Sequence, residues 1–173
     1  ADRVEDALNI SRDLQKQHEK LPVGFELEGD LQMRQKNAAV AATAYEKALN
    51  RQKNSQLLIK LHTALSQSGK EKQADQRLNQ WLKENPTDAV TRTYLAGVYL
   101  ASKKYDPAIK EYQTILKQHP DHADTLNNLA WVYQQKKDPV ALEYAEKAYK
   151  QAPDSPAILD TLGWILIEKG DAE

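Results

Sequence analysis

Apolar residues recur at i, i+3, i+4 and i+7 along nearly all of the chain, the spacing of helices with one buried face. Residues 89–122 show it most clearly. A first helix is predicted from Ala89 to Ser102, with Arg92, Leu95, Ala96 and Tyr99 on one face. Lys103 to Asp106 should form the turn. Asp106 suits an N-cap, and Pro107 suits the first helical turn, where its missing N–H is not needed. A second helix then carries Ala108, Tyr112 and Ile115 and stops before Pro120. His119, which precedes that proline, is biased away from the α region.

The pattern repeats. Moving back 34 residues from Pro120 to Pro86 carries Leu95, Tyr99, Ala108 and Tyr112 onto Leu61, Leu65, Ala74 and Leu78. A helix pair repeated at fixed length implies a stacked array in which each unit packs on its neighbours. Residues 55–88 supply Leu58, Leu61, His62, Leu65, Ala74, Leu78, Trp81 and Pro86, and residues 89–122 their counterparts. Residues 123–155 supply Leu126, Leu129, Ala130, Tyr133, Ala141, Ala145, Ala148 and Pro153, one residue shorter in the turn. Residues 22–54 supply Phe25, Gly29, Ala41, Tyr45 and Ala48, with Gln32 in place of an aromatic and Lys53 in place of the proline. Residues 1–21 (Ala7, Ser11, Leu14) read as the second helix of an upstream pair, and residues 156–173 (Leu159, Leu162, Gly163, Leu166, Gly170) as the first helix of a downstream one. The opening Ala1-Asp2-Arg3, with no initiator Met, adds to the expectation that the chain is a piece of a longer array.

This order of a large residue, Leu-Gly/Ala, an aromatic, a small residue, an aromatic and a closing proline resembles the tetratricopeptide repeat over the whole chain. The resemblance implies an all-α fold, a right-handed solenoid of antiparallel helix pairs. Ala96, Ala130 and Gly163 should let paired helices approach closely, with Ala74, Ala108 and Ala141 doing the same from the second helix. His62 breaks that rule and predicts a locally wider pair.

Composition narrows function. Lys+Arg is 24 and Asp+Glu is 25, so the net charge is -1, without the cation excess that coating nucleic acid requires. There is no cysteine, hence no disulfide or thiolate chemistry. The longest apolar run, Leu162 to Ile167, is far short of the roughly 18 residues that span a bilayer. His119-Pro120-Asp121-His122 has ligand-like spacing but sits in a turn where its rings need not converge, so we expect no metal there. No Gly-rich phosphate loop appears, no serine has a nearby His and acid, and carboxylate pairs such as Glu26/Asp30 read as solvated helix faces. No enzyme and no cofactor are expected.

In tetratricopeptide arrays the first helix of each pair lines the concave surface. Carried over by position, that surface includes Glu26, Asp30 and Met33, then Ile59 and Thr63, then Thr93 and Leu100, then Asn127, Trp131 and Gln134, and finally Asp160 and Trp164. This lining is apolar and amide-rich in the middle and acidic at both ends. It lacks the Lys/Asn/Arg clamp by which some members hold a peptide's terminal carboxylate. Two readings of its tryptophans stay open. Amides could bond an extended peptide while indoles pack its side chains, or Trp131 and Trp164 could be wedges between successive helices. Lys103/Lys104 and Lys136/Lys137 read as solubilising turn residues.

Three strings resemble one bacterial subgroup: Gly24-Phe25-Glu26-Leu27-Glu28-Gly29-Asp30, Leu126-Asn127-Asn128-Leu129-Ala130-Trp131, and Leu159-Asp160-Thr161-Leu162-Gly163-Trp164 with Lys169-Gly170-Asp171. They look like the tetratricopeptide lipoproteins of the exosortase/PEP-CTERM system. That resemblance implies an envelope scaffold in export, sorting or exopolysaccharide production, lipid-anchored through a cysteine outside this sequence, with no membrane contact by these residues. A cytoplasmic adaptor and the recruiting arm of a larger enzyme remain open. The expected partner is a protein or peptide. Trp164, Ile165, Leu166 and Ile167 are expected to lie uncovered and to promote self-association.

Overall fold

The computed structural model describes residues 2–170. Ten α-helices run along them, with no strand among the described residues: α1 Asp2–Gln17, α2 Val23–Arg34, α3 Ala38–Arg51, α4 Ser55–Gln67, α5 Glu71–Glu84, α6 Ala89–Ala101, α7 Tyr105–Leu116, α8 Ala123–Gln135, α9 Val140–Gln151 and α10 Pro156–Lys169. Asp171, from the third resemblance string, lies outside the described residues, as does the remainder of 156–173 after Gly170. The helices form two compact units that meet in sequence at Asp88/Ala89.

In the first unit each helix packs on the one before it. Two glycines set the spacing. A Cβ on Gly24 would lie 2.7 Å from the Gln15 backbone nitrogen and 2.9 Å from the Ser11 carbonyl, so α1 and α2 touch almost backbone to backbone. A Cβ on Gly29 would lie 2.4 Å from Tyr45 Cε1, which brings α3 against α2. Buried Ala41, Ala44 and Ala48 keep α3 thin where it meets its neighbours, while Leu57, Leu58, Leu61, Leu65, Leu78 and Leu82 fill the core of α4 and α5. At the far corner, Asp88 Oδ2 accepts bonds from Ser55 Oγ and Trp81 Nε1, both at 2.6 Å.

The second unit has the same logic. One cluster joins Ala96 of α6, Ala108, Ile109, Tyr112 and Ile115 of α7, and Leu129 and Val132 of α8. Two more join α8, α9 and α10 through Ala130, Ala141, Ala145 and Ile165, and through Leu126, Ala148 and Ile158. Tyr133 and Tyr144 stack with centroids 5.4 Å apart. Arg92, which stands where the repeat favours a large residue, sends its guanidinium to Glu111 of α7, and both side chains are largely buried.

The turns share one backbone device. Lys36, Gly69, Lys103, Lys137 and Gly170 all have left-handed φ, from 55° to 85°, at the same register after each first helix. Only two of these positions use glycine, so three lysines carry a conformation that a Cβ disfavours. Lys103 and Lys137, expected as solubilising turn residues, are exposed and also hold this backbone position. Lys136 has a partner as well, since its ammonium bonds Asp106. Asp106 is therefore not the N-cap of α7. Lys104 is the cap residue, and Asp106 lies inside the first turn, where the helix dipole favours a carboxylate. The first helix of that pair ends at Ala101, one residue before the expected Ser102.

Candidate functional site

The second unit builds its most distinctive surface from α8 and α10. In α8, Leu126, Leu129, Ala130 and Val132 face the core. Helical periodicity then turns Trp131, Gln134 and Gln135 the other way. In α10, Ile158 and Ile165 anchor the helix and leave Asp160 and Trp164 on its opposite side, with the half-buried Thr161 next to the anchoring face. Trp131, Gln134, Gln135, Asp160, Thr161, Trp164 and Ile165 together enclose about 330 Å³. Trp131 is 43% exposed and Trp164 57%. The Gln134 side-chain amide donates to Glu168, which fixes the rim of the pocket. The Thr161 hydroxyl is used within its own helix, donating to the Ala157 carbonyl at 2.9 Å.

Asn127 lies one turn before Trp131 but does not line this pocket. It is half-buried, and its Oδ1 is a buried acceptor without a hydrogen-bond partner among the described residues. On α6, Thr93 is exposed and Leu100 is half-buried against the Tyr112 cluster, and neither reaches the pocket.

The candidates of the first unit form a different environment. Glu26, Asp30 and Met33 of α2 and Ile59 and Thr63 of α4 are all half-buried. The Thr63 hydroxyl donates to the Ile59 carbonyl at 2.9 Å. Lys60 Nζ donates to Glu26 Oε1 at 2.7 Å and to both Asp30 carboxylate oxygens, at 2.8 and 2.9 Å. Tyr45 donates its hydroxyl to Asp30 Oδ1 at 2.8 Å. Burial pushes the Lys60 ammonium pKa down, but the bonds and charges of Asp30 and Glu26 outweigh it and hold the pKa above its ordinary value. Burial, then the bond to Asp30, raises the Tyr45 phenol far above its usual range. Glu26 and Asp30 are therefore neither a solvated face nor an uncompensated acidic end. They are a carboxylate pair bridged by one cation.

Reading the sequence missed Lys60. The available signal was a lysine 34 residues after Glu26 and 30 after Asp30, which places it beside both once consecutive repeats stack. It also overestimated the apolar patch on α10. Ile165 is buried against Ala130, Ala141 and Ala145, and Leu166 is half-buried, which leaves Leu159, Trp164 and Ile167 exposed. Gly163 makes no close approach, because a Cβ there would meet nothing within 4 Å. His62 is buried, with Nε2 3.5 Å from Asp75 Oδ1, so a polar side chain occupies the contact between α4 and α5. Burial lowers its pKa against the opposing pull of Asp75. His122 caps α8, its Nδ1 accepting the Thr125 N–H at 3.3 Å. Among the described residues no three His, Asp or Glu side chains converge to hold a metal ion.

Residues 87–154 match the tetratricopeptide repeat family model. No curated protein sequence matches the chain. Among solved structures, the chain is similar to YrrB, described as a TPR protein with an unusual peptide-binding site, at 24% identity over 92% of this chain and 83% of that one, with a TM-score of 0.62. It is similar to MamA at 23% identity over 83% of this chain and 85% of that one (TM-score 0.64). Yeast Tom70 superposes at a TM-score of 0.78 and 16% identity, over 95% of this chain and 36% of that one. With helix pairs along the described residues and the family's repeats matched at 87–154, the chain has the fold of a tetratricopeptide repeat protein, an all-α solenoid.

Proposed function

We propose that this chain is a protein-interaction scaffold that takes an extended segment of a partner protein on the face formed by α8 and α10. The observation that carries this reading is the pair of exposed indoles, Trp131 and Trp164, opening onto one pocket with Gln134 and Gln135 at its edge. Tryptophans that served only as wedges between helices would be covered. Large aromatics such as Trp are among the side chains that dominate interface energetics, and adjacent amides offer both donors and acceptors to a peptide backbone. YrrB, of the same fold, is described as having a peptide-binding site.

The test is selection from a displayed random-peptide library on the wild-type chain and on an Asn127→Ala, Trp131→Ala, Gln134→Ala variant that keeps its helical circular dichroism. Peptides enriched on the wild type and lost on the variant support the reading. Peptides that bind both equally move the site elsewhere.

The three strings that resemble exosortase-system lipoproteins support placing this scaffold in the bacterial envelope, in export, sorting or exopolysaccharide production. No described helix is long and apolar enough to cross a membrane. Recovery of the native protein with the envelope fraction is the expected outcome of cell fractionation. Recovery in the cytosol would favour the adaptor reading.

A further inference from the structure

The α8/α10 pocket carries charge as well as apolar surface. Asp160 is the one charged side chain among its lining residues. Its carboxylate makes no hydrogen bond or ion pair among the described residues, and it is exposed. Glu168 adjoins through its bond to Gln134. The nearby cations Lys137 and Lys169 line a separate cleft, the one that also takes in Gln134 and Glu168. The indoles of Trp131 and Trp164 add the negative faces of their π systems. At about 330 Å³ the pocket lies near the small end of the range for ligand sites. It has room for one long side chain.

Each class of side chain meets this pocket differently. An acidic group would face Asp160 and two indole faces, all repulsive. A purely apolar one would cover the indoles but would draw the Asp160 carboxylate out of water without a partner, which is costly. A flexible apolar stem ending in a cation satisfies both requirements. Its methylenes lie against the rings, and its charge sits over an indole face within reach of the carboxylate. A guanidinium fits best, because it can stack flat on an indole while its N–H groups fork onto the carboxylate.

We propose that this pocket is a recognition site for a basic side chain, arginine before lysine, of an extended partner peptide. The inference rests on the peptide-binding reading of this face and adds what that reading leaves open, the chemistry of the partner. It makes binding sensitive to salt, because the charges involved are close to solvent.

Nuclear magnetic resonance of the full chain with 15N-labelled tryptophan tests it. The probes are N-acetyl-arginine, N-acetyl-norleucine and N-acetyl-glutamate methylamides. The chain has three tryptophans, so three indole N–H signals report. Trp81 serves as the internal control, because its Nε1–H is held by Asp88 at 2.6 Å in the other compact unit. The arginine probe should shift the Trp131 and Trp164 signals saturably and leave Trp81 in place. The norleucine probe should bind more weakly, and the glutamate probe should produce no shift. Asp160→Asn, on an exposed side chain that the fold does not use, should weaken the arginine probe about two- to fivefold, the range for losing one such charge contact.

Norleucine equal to or better than arginine, or an arginine shift untouched by Asp160→Asn, would overturn the inference. The peptide reading would survive either result if library selection still enriched peptides on this face. Absence of any shift at Trp131 and Trp164 would also overturn it, and the library selection would then decide separately whether the face binds peptide at all.

Discussion

Gly29→Ala is the sharpest test of how closely the helices approach. An alanine Cβ at this position would stand 2.4 Å from Tyr45 Cε1, 2.6 Å from Cδ1 and 2.8 Å from Cζ. Unbonded carbons prefer roughly 3.5–4.0 Å, so the ring and the new methyl must separate by about 1 Å or more. The ring has little freedom to do so. Tyr45 is buried, and its hydroxyl is fixed by Asp30, which in turn holds Lys60. Overpacking of this kind costs about 1–3 kcal/mol, and losing the tyrosine hydrogen bond adds about 1 kcal/mol. Against this, replacing a mid-helix glycine with alanine gains about 0.8–1.0 kcal/mol of helix propensity. The net expectation is destabilisation by about 1–3 kcal/mol. Gly163→Ala supplies the control. It lies in the middle of α10 with open space around its Cβ position, so only the propensity gain applies, and stability should rise by about 0.5–1 kcal/mol. Urea denaturation followed by circular dichroism at 222 nm measures both. A neutral or stabilising Gly29→Ala would refute the packing of α2 against Tyr45.

The other predictions follow from single contacts. Tyr112→Ala should cost about 3–5 kcal/mol in urea denaturation, since it empties a buried aromatic site in the α6/α7 cluster, and Ala108→Leu should cost roughly 1–3 kcal/mol by overpacking. Gly69→Ala should cost about 1 kcal/mol through its left-handed backbone alone, whereas Lys137→Gly should be neutral to stabilising by about 1 kcal/mol; thermal melts should show the first lowered and the second unchanged or raised. His62 is held neutral, with its pKa below the ordinary 6.5, so the unfolded chain binds more protons than the folded one below that value. Stability should therefore be full above about pH 6.5 and fall as the pH drops below it, and His62→Gln should flatten that part of the profile in pH-dependent melts. If the exposed Leu159, Trp164 and Ile167 drive self-association, light scattering should show a dimer at high concentration that Ile167→Lys abolishes, and a strict monomer would retire that expectation.

Much of the fold could be read from the sequence because its determinants are local and periodic. Ala74, Ala96, Ala108, Ala130 and Ala141 are small where two helices touch, and all are buried. The misreadings have physical causes. Asp106 could not be placed by residue type, because both an N-cap and the first helical turn favour a carboxylate. The left-handed turn residue settles the register, and lysine at that position gives no warning of it. Gly163 and Gly29 occupy the same repeat position, but only Gly29 has a tyrosine against it, and sequence periodicity does not show what stands opposite. Lys60 pairs with carboxylates a full repeat away, a contact invisible until the helices lie side by side.

The candidate site was half legible for the same reason. Helical spacing put Trp131 and Gln134 on one face and Trp164 at the matching place in α10. That these three converge on one pocket depends on the approach of α10 to α8. The misreading of Ile165 as surface has a similar origin. In an unbroken apolar run, sequence does not say which residue turns inward, and here it is the one that meets Ala130, Ala141 and Ala145.

The most direct test of the central claim is an amide and indole chemical-shift map of the 15N-labelled full chain titrated with the best peptide from library selection. Saturable shifts concentrated on α8 and α10, including the indoles of Trp131 and Trp164, with Trp81 unmoved, are the predicted result. Shifts confined to residues 2–88, or to α9 with both of those indoles unaffected, would contradict it.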